Sequence, residues 1–325
     1  MRRRDFIRLL GGAAAWPVAA HAQQVKQRRV AILTALDDAQ TKIRVAPLLE
    51  ELEQLGWVDG RNVRIDLRAA GGNIDTVRKY GQEMLASTPD VLVGFGTGPT
   101  DYFVRATQTV PIVFTVVTDP LGAGFVKNLA RPGGNATGFM LFEYSLSGKW
   151  LELLKQLSPD LKRVAVIRDP VLGSGIGQFA VIQAVAPSLG LEITAVNVRD
   201  NSEMTQTIAA FAGSPNGGLV VTAGPLSAVN RELIIALAGK HKLPAIYFER
   251  FFATAGGLMS YGPNFDDQLR ETARYVDRVL KGEKPGNLPV QAPTKYQLVI
   301  NLKAAKAAGL AVPRPLLERA DEIIE

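Results

Sequence analysis

Polar and ion-pairing side chains in this sequence gather where apolar runs give way to short turns. Gly94-Phe-Gly-Thr-Gly-Pro-Thr100 joins the run Val91–Phe95 to a helical stretch. Free backbone N–H groups at such a helix start, together with the Thr97 hydroxyl and the bare backbone of Gly98, suit a carboxylate; a tight turn capped by Thr97 or Thr100 fits the same residues equally well. Thr118 and Asp119 end the next run, where a carboxylate can take an ammonium or a hydroxyl, or simply cap a helix beginning at Pro120. Leu36 and Asp37 hold the matching place after the first run. Asp169, Thr222 with Gly224, and Tyr247 with Glu249 stand at corresponding points later in the chain. Tyr247 offers an apolar ring with a polar tip, and Glu249 a charge for an amine. Tyr261 falls in a segment expected to pass between two halves of the molecule.

What is missing narrows the chemistry further. The chain has no cysteine, and its histidines are His21 and His241, so thiolate catalysis, disulfides and soft-metal sites are excluded. A Ser-His-Asp arrangement would rest on His241 alone, in a Gly-Lys-His-Lys-Leu-Pro turn. Gly94-x-Gly96-x-Gly98 and Gly173-Ser-Gly-Ile-Gly177 lack the spacing of a dinucleotide fingerprint, and no Gly-x-x-x-x-Gly-Lys-Ser/Thr loop is present. Neither a cofactor nor a metal is expected. About half of the formal +6 charge comes from Arg2, Arg3, Arg4 and Arg8 offset by Asp5. The rest is spread along the chain, which argues against a nucleic-acid partner.

The first residues read as an address. Arg3-Arg4-Asp5-Phe6-Ile7-Arg8 fits a twin-arginine pattern, followed by a short apolar stretch and Ala20-His21-Ala22 as a small-x-small cleavage site. A twin-arginine signal peptide over residues 1–22, cleaved near Ala22, predicts a periplasmic protein. With no cysteine after the cut, a lipid anchor of the lipoprotein kind is excluded.

Those polar turns must be positioned by regular elements, and the rhythm is clear. Strand-like runs at Arg29–Ala35, Val63–Arg68, Val91–Phe95, Ile112–Val117 and Thr137–Leu141 form one set. Arg163–Arg168, Glu192–Val198, Gly218–Thr222, Pro244–Phe248 and Gly257–Ser260 form a second. Helical periodicity fills the gaps, giving strand-helix-strand units twice over. Apolar runs buried on both faces predict α/β architecture: two Rossmann-like lobes with parallel sheets. Helices are expected from Pro120 towards Leu129, over Asn264–Lys281, over Ala304–Leu310 and over Pro315–Ile324, with an extended segment at Pro289–Leu302. If the chain passes between lobes near 135–142, 257–263 and 289–298, a three-crossover hinge results. The N-terminal lobe is then residues 27–137 plus 262–290, and the C-terminal lobe 138–261 plus 291–325. In open α/β sheets, small ligands sit beyond the carboxyl ends of the strands.

Several motifs in order carry a resemblance: Asp119-Pro120, Leu129-Ala-Arg-Pro-Gly-Gly-Asn135, Thr137-Gly138, Ser147-Gly-Lys149, Gly256-Gly-Leu-Met-Ser-Tyr-Gly262, Tyr275–Gly282, Pro293-Thr-Lys295 and Val299–Lys303. Together they resemble the ABC-transporter substrate-binding proteins that include tryptophan/tyrosine-binding members, from about Arg28 to Glu325. The resemblance implies a type I periplasmic binding fold that clamps a small organic solute, such as an aromatic or aliphatic amino acid, and passes it to an inner-membrane permease powered by a separate ATPase. It implies no catalysis, and a monomer is expected. Two alternatives stay open from the residues alone: an exported α/β enzyme using Asp119 and Glu249 on a carboxylated substrate, and a sensory solute-binding module.

Overall fold

The computed structural model describes residues 27–325; the signal-peptide reading of residues 1–22 lies outside the described residues. The first sheet is made from β1 (Arg28–Thr34), β2 (Val63–Ala69), β3 (Val91–Phe95), β4 (Ile112–Val117) and β5 (Ala136–Met140), in the order β2-β1-β3-β4-β5 and parallel throughout. Its crossovers are α1 (Asp38–Gln54), α2 (Ile74–Ala86) and α3 (Thr97–Ala106). Alternation along the strands splits the core in two. Val30, Ile32, Val91, Val93 and Val113 face one cluster, and Ala31, Leu33, Leu92, Ile112 and Phe114 the other. Both faces are covered, as a parallel sheet requires.

The second lobe follows from α4 (Leu146–Leu157), with β6 (Arg163–Arg168), α5 (Gly173–Val185), β7 (Glu192–Asn197), α6 (Asn201–Ala212), β8 (Gly217–Val221), α7 (Pro225–Val229), α8 (Arg231–Lys240), β9 (Ala245–Tyr247), α9 (Arg250–Thr254) and β10 (Met259–Pro263). After β10 the chain leaves for the first lobe. There α10 (Phe265–Leu280) packs Leu269, Ala273, Val276 and Leu280 beside Val45, Leu48 and Leu52 of α1. It returns as β11 (Tyr296–Asn301), α11 (Leu302–Ala308), α12 (Arg314–Leu317) and β12 (Glu322–Ile324). The sheet order is β12-β11-β10-β9-β8-β6-β7. Because β11 comes back from that excursion in the opposite direction, it pairs antiparallel with β10, while the other neighbours are parallel. Parallel pairing therefore dominates both lobes.

Two expectations fail. No helix follows Pro120: residues 118–135 are a chain of turns. Gly124 and Gly133 take positive φ, Pro132 offers no N–H, and the Asn128 side chain accepts from Ala130 and Arg131 N–H, which diverts those donors from a helix. Phe125 and Val126 are nonetheless buried, so the loop is anchored. Nor is Pro315–Ile324 a single helix. It is one turn of helix around buried Leu316, then β12, whose Glu322-Ile323-Ile324 pairs with Val299–Asn301 at the open edge of the sheet; β-branched residues fit there better than in a last helical turn.

Two glycines mark where strands run into the crossovers. A Cβ on Gly138 of β5 would lie 1.9 Å from the Phe114 carbonyl oxygen, and one on Gly262 of β10 would lie 1.9 Å from the Phe248 carbonyl oxygen. Gly138 thus presses against the middle of β4 and Gly262 against the residue that follows β9. Gly138 also has φ +152. The crossovers are further pinned by Thr137 Oγ1 donating to Leu288 O at 2.7 Å and by Trp150 Nε1 donating to Tyr261 O at 2.7 Å.

Candidate functional site

The carboxyl ends of β1, β3 and β4 and those of β6, β8 and β9 carry the polar turns, and the two lobes meet nearby. Val116, at the end of β4, packs against the cores of both lobes. Its φ of +58 puts a β-branched residue in a conformation that costs on the order of 1–3 kcal/mol. The surroundings enforce it. The register between β4 and β5 shifts between Phe114 and Val117, while Gly96 N–H holds Thr115 O at 2.8 Å and Leu141 N–H holds Val117 O at 2.7 Å.

On the first lobe, Thr97 and Gly98 are exposed in the opening turn of α3, whose cap Gly96 has φ +90 and supplies no side-chain acceptor. The first N–H groups of α3 are therefore not occupied by a capping side chain, unlike those of α1, where Asp37 accepts from Gln40 N–H at 2.8 Å. Thr100 is turned inward, donating to Gly96 O at 2.7 Å. Leu36 is half-buried against the core. Thr118 and Asp119 are half-buried, and Asp119 Oδ1 accepts from Gly122 N–H at 2.7 Å, closing a turn and not capping a helix. The Asp119 charge is felt across at Tyr144, whose hydroxyl pKa is raised by burial first and by Asp119 second. Tyr144 donates to Gly173 O, at the start of α5, at 3.3 Å.

On the second lobe, Asp169 is 2% exposed. Its Oδ1 accepts from Arg199 Nε at 2.8 Å and Val171 N–H at 3.0 Å, while its Oδ2 is buried without a protein partner. Burial pushes this carboxyl up, but the Arg199 guanidinium and the backbone N–H groups outweigh it and hold it below the usual carboxylate range. Gly224 opens α7 in extended backbone with no capping side chain.

Three of the expected site residues are committed elsewhere. Thr222 is fully buried and donates to Ile167 O at 2.9 Å, tying β8 to β6. Tyr247 has its ring stacked on Phe252, centroids 4.8 Å apart and 13° from parallel, with burial raising its hydroxyl pKa. Its ring face is core packing, unavailable to a solute. Glu249 is not free to meet an amine, since Arg44 Nη2 from α1 lies 2.7 Å from its Oε1. Tyr261 stays half-exposed in β10, near-parallel to Tyr296 with centroids 6.0 Å apart.

Arg44, Val116, Tyr144 and Arg199 were not anticipated from sequence. Nothing local marks them: Arg44 looks like any exposed cation on an amphipathic helix, and Val116 like another strand valine. Two surface pockets stand apart from the strand ends. One, of about 360 Å³, lies between the crossovers and α10 and is lined by Phe139, Gln268, Tyr275, Gln291 and Lys295 among others. Its polar groups already serve one another, with Lys295 on Asp267 at 2.5 Å and Gln291 Nε2 on Tyr275 Oη at 3.1 Å. The other, of about 530 Å³, is a groove on the outer face of the first lobe around Trp57 and Leu67. Among the described residues there is no cluster of three or more His, Asp or Glu able to hold a metal, and no helix long and apolar enough to cross a membrane.

Two α/β lobes joined through three passes of the chain, with polar turns at facing strand ends, define the type I periplasmic binding fold. The chain belongs to the ABC transporter substrate binding protein family, whose model matches residues 29–324. It is similar to the tyrosine-binding protein of Clostridioides difficile (strain R20291), 26% identical over 291 residues covering 88% of this chain and 82% of that protein. Among solved structures it resembles a conserved domain protein from Vibrio cholerae, with 29% identity, a TM-score of 0.84, and coverage of 92% of this chain and 100% of the other. It also resembles an ABC domain from Streptococcus pneumonia in complex with L-Trp, with 24% identity, a TM-score of 0.83 and the same coverages. The family consists of substrate-binding proteins, not enzymes, which work with ABC permeases on small solutes. The enzymatic alternative is thereby overturned, and Glu249, one of its two carboxylates, is engaged by Arg44.

Proposed function

We propose that this protein is the periplasmic solute-binding component of an ABC importer, and that it closes its lobes over an amino acid. The observation that carries the reading is the pairing of opposite chemistries at the strand ends. The uncapped start of α3 with Thr97 and Gly98 suits the carboxylate of an amino acid, and Asp119, facing Tyr144, suits its ammonium. Leu36, Thr118 and Tyr261 are half-buried and supply apolar and hydroxyl contacts beside them. Support for an amino acid comes from the tyrosine-binding relative and from the L-Trp complex of the Streptococcus domain. Support for export comes from the twin-arginine pattern at Arg3-Arg4 and the Ala20-His21-Ala22 cleavage site.

A thermal-shift screen over the proteinogenic amino acids and common organic acids tests it. A cognate solute at about 100 times its Kd stabilises the folded chain by about 2.7 kcal/mol. A flat response across the library would end the amino-acid assignment. A response to organic acids alone would keep the carboxylate contact at α3 and remove the ammonium role of Asp119.

A further inference from the structure

Arg44 is a residue of the first lobe held by the second. Its guanidinium reaches from α1 to Glu249 Oε1 at 2.7 Å, lies 4.6 Å from the ring centroid of Phe251 and 5.7 Å from that of Phe265. The Glu249 side chain is 9% exposed and that of Arg44 18%. Phe248, Phe251 and Phe252 form a continuous aromatic cluster under the pair. Asp266, at the start of α10, adds a second negative charge near Glu249, and Arg231 stands over Phe251 with its guanidinium 5.7 Å from the ring centroid. A planar cation between aromatic rings and a carboxylate is the arrangement that binds guanidinium groups well. The pair also sits beside β10 and Phe265, where the chain passes from one lobe to the other.

We propose that Glu249 and Phe251 of the second lobe, closed off by Phe265 at the start of α10, form a guanidinium-binding box between the lobes that captures Arg44 and latches the two lobes together without any solute. The latch goes beyond the solute-binding reading and rests only on the two-lobe geometry. Parting the lobes must pull Arg44 out, breaking its charge-assisted contact with Glu249 and its stacking on the rings of Phe251 and Phe265, which disfavours opening. Closure is therefore biased by the protein itself, and a solute or a partner tunes a balance that Arg44 has already set.

Small-angle scattering of the solute-free protein reads this directly. A compact body of this size has a radius of gyration of about 19 Å. The wild type is expected at that value, and Arg44→Ala at a larger one. Methylguanidinium at millimolar concentration should return the R44A profile to the wild-type one, whereas urea at the same concentration, equally planar but uncharged, should not. Glu249→Gln, which keeps the shape of the side chain and removes its charge, should also expand the solute-free protein, and methylguanidinium should leave it expanded. Far-UV ellipticity verifies that both variants are folded, and E249Q decides the matter if R44A is not. An unchanged profile in the folded variants overturns the latch. Expansion of R44A that ignores methylguanidinium overturns the box. Because no solute is added, neither result depends on which solute the cleft takes.

Discussion

Trp150 shows how firmly the second lobe grips the crossover, and Trp150→Phe measures it. The indole is fully buried in α4 and its Nε1 donates to Tyr261 O in β10 at 2.7 Å. The phenyl ring removes that donor and leaves the carbonyl without it, at a cost of about 1–2 kcal/mol. It also leaves a void of roughly 40 Å³, which at about 24 cal/mol per Å³ adds about 1 kcal/mol. The apolar atoms lost from the core account for about 1 kcal/mol more. The expected loss is therefore about 3–4 kcal/mol, read from urea unfolding followed by far-UV ellipticity, with an unchanged slope and a lower midpoint. A loss below about 1 kcal/mol would refute the reasoning, because it would mean that neither the hydrogen bond nor the packing around the indole holds α4 to β10.

Gly138→Ala and Gly262→Ala should each destabilise by about 2–5 kcal/mol, since the added methyl meets the backbone carbonyl oxygen of Phe114 or Phe248; thermal unfolding checks this, and a neutral effect at both would remove the close approach. Thr97→Ala and Asp119→Asn should weaken binding of the solute found by screening by about tenfold or more each, the equivalent of about 1.4 kcal/mol. Unchanged affinity in both, measured by calorimetry, would place the solute elsewhere. Asp169 gives a pH signature. Its folded-state pKa is depressed, so its contribution to stability is present above the unfolded value of about 3.9 and is lost as pH falls through the folded one. The stability difference between wild type and Asp169→Asn should be constant near neutral pH and shrink in acid, and a difference that grows as the pH drops would contradict the pairing with Arg199.

Much of the fold was legible because the chain writes it locally. Val91–Phe95 and, but for Thr115, Ile112–Val117 are without polar side chains and so could be buried on both faces, and α10 announces itself by Leu269, Ala273, Val276 and Leu280 at helical spacing. The turns after Pro120 misled because Asp-Pro is a sound helix start, yet Asn128 and a run of glycines outcompete the helix. The last strand was hidden because Glu322–Ile324 is too short to show a period and is defined only by the edge of β11. The site divides the same way. Strand-end positions can be counted from sequence, which is why Thr97, Asp119 and Asp169 fall at the tips. Which of those side chains are already engaged depends on partners far along the chain, such as Phe252 for Tyr247 and Arg44 for Glu249. The strained φ of Val116 is likewise imposed by the register between β4 and β5, which no valine can advertise.

The most direct measurement is a calorimetric titration of the full chain with the amino acid that most raises its melting temperature. Binding that saturates at one solute per chain, loses strength in D119N, and returns the solute chemically unchanged is the outcome predicted for two lobes closing over a single molecule. Absence of binding heat for every amino acid, or release of an altered solute, would contradict it.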